Sequence, residues 1–304
     1  MRLKCLLGLV LTIVTGLFLS NQVFAEDHLI IQITPATQRI EMDPGKSYSG
    51  YFILQNTGNI DYSYELAAVP YIINDDNYDN PDFVVEHAST FTQIYKWVSF
   101  EEKVGRITVG GRKRINYLIK VPEDVPAGGQ YCALMVQAIN EDKGEKFVQA
   151  VGRVGLLLYA QVSGETREEG EITDVNIRNW YINSPITTSY TAKNTGNIDY
   201  TAGVKLEISN LITGKKVYEN NEKNDERVVL PVSSRYNTLT WDNTPKLGIF
   251  KVKMTVSVLD EVKTVEKIVF VSPLWFLLLV AFLFALAIVL IVIKHKSRKK
   301  EFID

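Results

Sequence analysis

One acidic segment carries the spacing closest to a metal-binding motif. In "DDNYDNPDFVVE" oxygen-bearing residues fall at positions 1, 3, 5 and 12, where an EF-hand loop places the ligands of Ca²⁺. Position 6, however, is asparagine where the loop needs glycine, position 7 is proline, and no helical pattern flanks the segment. We therefore predict an acidic surface loop without a bound metal. The candidate calcium ligands are Asp75, Asn77, Asp79 and Glu86.

Residues suited to catalysis are scarce. The chain has three histidines, of which His28 and His295 lie near the ends and only His87 falls well inside the predicted folded part. The sequence contains no G-x-S-x-G, H-E-x-x-H or Walker motif. Cys132 lies within an apolar run, which predicts a buried hydrophobic side chain rather than a nucleophile. We predict no enzymatic activity and no cofactor.

Aromatic and amide side chains concentrate in a loop-rich stretch between residues 71 and 91. Glycans are bound by aromatic faces together with amide and hydroxyl groups, so this stretch is a candidate ligand surface. An ordinary solvated loop with partly packed tyrosines is the alternative at each position. Trp97 is a candidate platform for stacking a carbohydrate, but its strand-like neighbours favour a core tryptophan between the sheets. The candidate ligand-binding residues are Tyr71, Asn74, Asn77, Tyr78 and Asn80.

The basic run Arg112–Arg114 follows two glycines. It is predicted to be either the exposed face of a turn or a contact for anionic polymers.

The heptapeptide "NTGNIDY" occurs twice, at Asn56–Tyr62 and at Asn194–Tyr200. Apolar residues alternate at period two before and after each copy, which predicts that each copy joins two strands with one buried face. Asparagine and glycine favour turns, and Gly58 and Gly196 can take positive φ. A hairpin within one sheet and an arch between two sheets both remain open. We predict that both copies occupy the same connection of one sandwich topology used twice.

Short strands and turn residues fill the region between the two ends of the chain. The pattern predicts strands at Arg114–Val121 and Gln130–Ile139, and the polar run Glu165–Gly170 as a domain boundary. The predicted fold class is therefore all-β, with two Ig-like or fibronectin-III-like β-sandwich domains at residues 26–165 and 166–272, followed by one transmembrane helix.

Both ends of the chain have the character of targeting segments. Residues 1–25 combine two cations, an apolar run and a small residue at the end, as in a signal peptide. Residues 273–293 are uncharged and long enough to cross a bilayer. Residues 294–304 form a basic tail, which the positive-inside rule places in the cytoplasm. We predict a single-pass membrane protein with its N-terminus outside.

Charge and cysteine content exclude some classes of function. Residues 26–272 carry a net charge of −7, which argues against a nucleic-acid partner. Cys132 is the only cysteine of that part, so no disulfide can hold either domain. Each domain must rely on an apolar core.

A family resemblance covers roughly residues 29–165. The segments "MDPGKSYSGYFILQNTGN", "FTQIYKWVSF", "VPEDVPAGGQYCALMV" and "GRVGLLLYAQVSGE" follow one another as in the peptidoglycan-binding Ig-like domain that this region resembles, that of WxL-interacting surface proteins. The plan of the chain is also similar to theirs. The resemblance implies that the first domain contacts peptidoglycan and that the second contacts an envelope protein.

Two functions follow from these observations. The first is a membrane-anchored extracytoplasmic binding or scaffold protein of the bacterial cell surface, contacting cell-wall polymer or a protein partner. The second is a chaperone-like assembly factor for secreted or pilin-like subunits, which needs a long exposed edge strand to pair with its client. A flat apolar edge favours the chaperone, and charged or bulged edges favour the scaffold.

Overall fold

The computed structural model of the chain describes residues 28–73, 81–83, 89–139 and 153–300. The predicted signal peptide lies entirely outside these ranges. So do most of the residues predicted to bind calcium or glycan, namely Asn74, Asp75, Asn77, Tyr78, Asp79, Asn80 and Glu86.

The first sandwich pairs a four-stranded with a five-stranded sheet. The four-stranded sheet has the order β1-β3-β7-β5 and the five-stranded sheet β2-β9-β8-β4-β6. A short 3₁₀ helix at Gln93–Lys96 precedes β5. The strands are β1 (Ile31–Thr34), β2 (Thr37–Met42), β3 (Ser47–Asn56), β4 (Tyr62–Pro70), β5 (Val98–Phe100), β6 (Val104–Ile107), β7 (Arg112–Lys120), β8 (Gly128–Ile139) and β9 (Arg153–Val162).

The second sandwich pairs a three-stranded with a six-stranded sheet. The smaller sheet has the order β10-β12-β16; the larger runs β11-β18-β17-β13-β14, with β15 also paired to β13. The elements are β10 (Gly170–Ile177), β11 (Trp180–Tyr181), β12 (Ile186–Asn194), β13 (Tyr200–Asn210), β14 (Lys216–Glu219), α1 (Glu222–Asp225), β15 (Arg227–Val229), β16 (Ser233–Trp241), β17 (Gly248–Val258) and β18 (Glu261–Val271).

The two sandwiches share one topology. In each, the first strand pairs antiparallel with the third, and the second strand pairs parallel with the last. Strands β4, β8 and β9 of the first sandwich correspond to β13, β17 and β18 of the second. The all-β prediction with two sandwiches is thus confirmed. The finer domain limits at residues 165 and 272 stay predictions.

Each sandwich has its own apolar core, which is formed by alternate residues of the strands in its two facing sheets. Phe52, Leu54, Ile115 and Ile119 belong to the first core, and the side chain of Trp97 packs against it, as predicted. Cys132 is fully buried there, in agreement with the prediction of a buried hydrophobic side chain. The second core includes Trp241 and Phe250, whose rings meet edge to face.

Both copies of the heptapeptide form an arch between the two sheets of a sandwich. The first copy joins β3 to β4 and the second joins β12 to β13, and in both cases the two strands lie in different sheets. Within the first arch, Asn56 Oδ1 accepts the Gly58 N–H at 3.0 Å and Nδ2 donates to the Ile60 carbonyl at 2.8 Å. The same two bonds recur around Asn194, at 2.9 and 2.8 Å. The prediction of one connection used twice is confirmed, and the arch is the geometry adopted.

The second asparagine of each arch holds the segment that leads into the first strand of its sandwich. Asn59 accepts the His28 N–H on its side chain at 2.6 Å and donates its own N–H to the His28 carbonyl at 3.0 Å. Asn197 makes the same pair of bonds with Arg167, at the same distances. Each arch therefore anchors the start of its own domain.

The arch glycines do not use the positive φ that glycine can adopt. Neither Gly58 nor Gly196 lies in the left-handed region. Glycine is needed there because the entering segment passes too close for a side chain. A Cβ on Gly58 would collide with the His28 carbonyl oxygen and lie 2.8 Å from Ile30 N, and a Cβ on Gly196 would meet the equivalent atoms of the second domain.

The C-terminal helix α2 spans Leu274–Lys300. Its segment Leu274–Ile293, 20 residues long, is apolar and long enough to cross a membrane, and none of its residues is buried in the described structure. Only Ser272 and Pro273 separate β18 from this helix.

We expect Gly58→Ala and Gly196→Ala each to lower the free energy of unfolding by about 1–3 kcal/mol, the usual cost of forcing a group into a packed site. The measurement is chemical denaturation of the purified protein followed by tryptophan fluorescence. Gly203→Ala is the control, because the nearest atom to its added Cβ is the mobile Ser257 hydroxyl. A loss at Gly203 as large as at Gly58 would contradict this account.

Candidate functional site

The outer face of the four-stranded sheet of the first sandwich carries an exposed aromatic and polar surface. Strands β3 and β7 are paired so that Tyr51 lies directly opposite Asn116. Because side chains alternate along each strand, Phe52 and Ile115 enter the core while their neighbours Tyr51 and Arg114 point outward. We call the surface formed by Ser49, Tyr51, Ser99, Glu101, Arg114 and Asn116 the Tyr51 face.

A hydrogen-bond chain orders the Tyr51 face. Arg114 Nε donates to Asn116 Oδ1 at 3.1 Å, and Asn116 Nδ2 donates to Glu101 Oε2 at 3.1 Å. The Arg114 guanidinium carbon lies 3.7 Å from the centre of the Tyr51 ring, a cation–π distance, and the Tyr51 side chain remains 45% exposed. These groups line a shallow depression of about 390 Å³. An aromatic ring beside a guanidinium, an amide and a carboxylate is suited to sugar hydroxyls and to anionic substituents.

The side chains of the basic run Arg112–Arg114 point to both sides of strand β7. Arg114 belongs to the Tyr51 face, whereas Lys113 points to the other side of β7 and pairs with Glu102 at 2.8 Å. The hydrogen bond that Lys113 donates to Glu102 raises the pKa of Lys113 and lowers the pKa of Glu102. The run is therefore not one uniform basic patch.

A second polar site joins the two sandwiches. The Tyr131 hydroxyl donates to Asp199 Oδ1 at 2.9 Å and accepts the Asp199 N–H at 2.9 Å. The other carboxylate oxygen of Asp199 pairs with Arg39 at 2.7 Å, and the Arg39 guanidinium carbon lies 4.7 Å from the centre of the Tyr159 ring. Asp199 belongs to the second heptapeptide copy, and the other three residues belong to the first sandwich.

Backbone contacts reinforce this junction. The Gly129 N–H donates to the Asn197 carbonyl at 2.7 Å, and Asn197 Nδ2 donates to the Ala127 carbonyl at 3.2 Å. Gly128 has φ +125 and its missing Cβ would lie 2.6 Å from the Asn197 carbonyl oxygen. Only glycine combines this backbone conformation with so close an approach.

An apolar cluster completes the junction. Tyr131, Ala133 and Met135 on the outer side of β8 are buried together with Tyr71, and Leu230 of the second sandwich packs among them. Strand β8 is consequently buried on both faces, which accounts for its almost uninterrupted apolar sequence.

Burial controls the chemistry of the hydroxyl and thiol groups at this end of β8. Burial, followed by the charge of Asp199, raises the pKa of Tyr131, so the hydroxyl stays protonated and donates to the carboxylate. Burial also raises the pKa of the Cys132 thiol. The hydrogen bond to Asp199 raises the pKa of Arg39. The junction is therefore a charge-assisted contact and contains no activated nucleophile.

Of the five predicted glycan-binding residues, Tyr71 alone lies in the described part of the chain. Its side chain is 1% exposed, and its ring lies 6.4 Å from both the Phe83 and Tyr159 rings. A buried ring presents no face to a sugar, so the stacking role predicted for Tyr71 does not fit this conformation. The roles of Asn74, Asn77, Tyr78 and Asn80 stay predictions.

Sequence reasoning missed both sites that the structure brings together. The sequence did contain a signal for the Tyr51 face. The buried residues Phe52 and Leu54 alternate along β3, and Tyr51 lies at an intervening position, so its side chain must point outward. The junction had no such local signal, since Tyr131 and Asp199 are 68 positions apart. Among the residues that the structure describes, no group of three or more His, Cys, Asp or Glu side chains is arranged to hold a metal ion.

Comparison with known proteins finds similar solved structures only at low sequence identity. No protein-family model matches the chain, and no curated protein matches it. The chain is similar to the solved structure of the YadV chaperone, with 12% identity and a TM-score of 0.40 over 79% of this chain and 98% of that one. It is also similar to the CsuC–CsuE chaperone–tip adhesion subunit pre-assembly complex of Acinetobacter baumannii archaic Csu pili, with 14% identity and a TM-score of 0.38 over 81% and 99%.

A third similar structure is PapD-like domain 7 of human CEP192, with 13% identity and a TM-score of 0.31 over 47% of this chain and 98% of that one. None of these three structures is named as a WxL-interacting protein.

We expect Asp199→Ala to loosen the junction, because it removes the acceptors of both Tyr131 and Arg39. The measurement is the distance distribution between spin labels on Val104→Cys and Val217→Cys, two exposed positions on different sandwiches, and the distribution should broaden. Asp61→Ala, at the same place in the first heptapeptide copy, is the control, since Asp61 bonds within its own domain to the Val109 N–H. Equal broadening in both variants would show that Asp199 has no special role.

Proposed function

We propose that this chain is a single-pass membrane protein of the bacterial envelope whose extracytoplasmic sandwiches act as a binding scaffold. Its first sandwich contacts cell-wall glycan through the Tyr51 face. The observation that carries the proposal is the ordered chain of Arg114, Asn116 and Glu101 beside the exposed ring of Tyr51. Sugar recognition uses an aromatic surface with amide and charged groups at its margin, and wall polymers add carboxylates or phosphates for a guanidinium.

The family resemblance supports the same assignment. The first sandwich resembles the peptidoglycan-binding Ig-like domain of WxL-interacting surface proteins over roughly residues 29–165. On this proposal the second sandwich presents a surface to another envelope protein, as the plan of that family implies.

The apolar helix and the flanking sequence support the location. Leu274–Ile293 is long and apolar enough to span a bilayer, and the cations that follow it favour a cytoplasmic tail. The apolar run near the N-terminus fits a signal peptide. We propose that the sandwiches lie on the outer side, and that the protein has no enzymatic activity.

The sheet edges favour a scaffold over a strand-donating chaperone. Among the described strands, β1, β5 and β6 at sheet edges have only three or four residues. Strand β10 carries a register shift between Ile172 and Asp174. The part of β7 that extends beyond its pairing with β5 begins with the cationic run Arg112–Arg114. Short, bulged and charged edges resist the addition of a further strand.

Two long edges keep the chaperone as a second candidate: β16, and the stretch Glu261–Val269 of β18, which among the described strands pairs only with β17. Strand β16 is nine residues long and pairs with β12 in unbroken register over its whole length. Its other edge has no partner strand among the described elements. A client strand could add there, although its sequence "SSRYNTLTW" is mostly polar, whereas an apolar edge would fit a chaperone better.

We expect externally added protease to digest the sandwiches on spheroplasts and to spare an epitope tag placed after Asp304. The reason is that the bilayer shields everything beyond the predicted span. Permeabilised spheroplasts are the control and should lose the tag as well. Intact sandwiches together with a digested tag would reverse the proposed orientation.

For wall binding, we expect full-length protein in mild detergent to sediment with purified cell-wall sacculi. Tyr51→Ala and Arg114→Ala should weaken binding about 5-fold or more each, corresponding to the loss of roughly 1 kcal/mol or more per contact. Val104→Ala, which removes an exposed apolar side chain from the other sheet of the same sandwich, is the matched control.

If the Tyr51→Ala variant sediments with the sacculi as well as the wild-type protein does, the Tyr51 face is not the wall-binding surface. A second outcome would favour the chaperone candidate over the scaffold. In that outcome the wild-type protein does not sediment with the sacculi, but it captures a secreted subunit, and this binding protects the backbone amides of β16 from hydrogen exchange.

A further inference from the structure

Exposed apolar side chains gather at the end of the second sandwich from which the C-terminal helix leaves. Strands β11 and β18 are parallel and both run toward this end, β13 ends there, and β17 begins there. The turns at this end carry the exposed residues Ile182, Leu211, Ile212 and Leu247. We call these four residues, together with Trp180, Ile268 and Phe270, the helix-proximal rim.

The pairing register brings the rim residues side by side. On the outer face of the six-stranded sheet, Trp180 of β11 and Ile249 of β17 flank Phe270 of β18, each as its direct partner. The Leu211 N–H donates to the Ile249 carbonyl at 3.0 Å, which extends the row to the end of β13. Trp180 is 49% and Phe270 48% exposed, and the Trp180 indole N–H donates to Ser272 Oγ at 2.8 Å. An ordered apolar row of this kind on a water-exposed face marks an interaction surface.

The position of the rim identifies its partner. Phe270 precedes Leu274, the first residue of the apolar helix, by four positions, so it lies within about 13 Å of the helix start along the chain. Tryptophan and phenylalanine beside a span favour the interfacial zone of a bilayer. The turns that carry Ile212 and Leu247 also contain Lys215 and Lys246, with Asp242 as their one acidic residue, and the two cations would face the headgroups of anionic lipids.

We propose that the helix-proximal rim rests in the interfacial zone of the outer leaflet of the same membrane that holds the helix. This inference rests on the proposed membrane anchoring and adds that the second sandwich is docked on the lipid surface. The tip residue Ile212, which is 82% exposed, penetrates the interface, while the far end of the same sheet stays in water.

The experiment uses full-length protein in vesicles of phosphatidylcholine and phosphatidylglycerol. An environment-sensitive dye is attached at Ile212→Cys or at Val262→Cys, in each case with Cys5→Ser and with the buried Cys132 left in place. Val262 is the matched control, because it is an exposed apolar residue on β18 at the opposite end of the strand. Lipids with nitroxide groups near the headgroup should quench the dye at position 212 and leave the dye at position 262 unquenched. Adding Trp180→Ser and Phe270→Ser should reduce the quenching at position 212.

Vesicle flotation of the same samples separates the two proposals. Flotation without quenching at position 212 would overturn the docked rim and keep the membrane anchor. Failure to float would overturn both. Equal quenching at positions 212 and 262, or quenching that the two serine substitutions leave unchanged, would also overturn the docking proposal.

Discussion

The arrangement of both sandwiches depends on one buried asparagine at the start of each arch. Asn56 and Asn194 are almost completely buried, and each satisfies two backbone groups of a turn that must pass from one sheet to the other. A sheet-crossing turn cannot satisfy these groups through a strand ladder, and leaving them unpaired in the interior costs about 1–3 kcal/mol each. The arch in turn fixes the entering segment of its domain. The repeat of seven residues therefore reflects a repeated structural requirement.

The same heptapeptide has acquired a further role in its second occurrence. Asp61 of the first copy bonds the Val109 N–H inside its own domain, whereas Asp199 of the second bonds Tyr131 and Arg39 of the other sandwich. Burial of Tyr131 keeps its hydroxyl protonated, so the bond to Asp199 has one charged partner and is stronger than a neutral hydrogen bond. An element that closes one domain thus also orients it against its neighbour.

The sequence was informative where structure is local and periodic. Alternating apolar residues predicted the strands, the two sandwiches and the turn character of the heptapeptide, and the uninterrupted apolar run predicted the C-terminal helix. The reason for glycine at positions 58 and 196 was missed, because the collision is with segments about 30 positions upstream. The Tyr51 face required the register between β3 and β7, which periodicity does not provide. Tyr71 is buried in a cluster that includes Leu230 of the other domain, a contact that periodicity does not reveal.

The junction between the sandwiches and the helix-proximal rim lie at opposite ends of β13, and this placement relates the structure to its proposed role. The second arch leads into β13 at Tyr200, and the strand ends at Asn210 beside the helix-proximal rim. Eleven residues of extended chain cover about 35 Å, so the junction with the first sandwich lies roughly that far from the rim. Only two residues link β18 to the apolar helix, which leaves the second sandwich little freedom to move away from it. A rigid spacer of this length would hold the Tyr51 face away from the lipid and toward the wall, as a scaffold between the two requires.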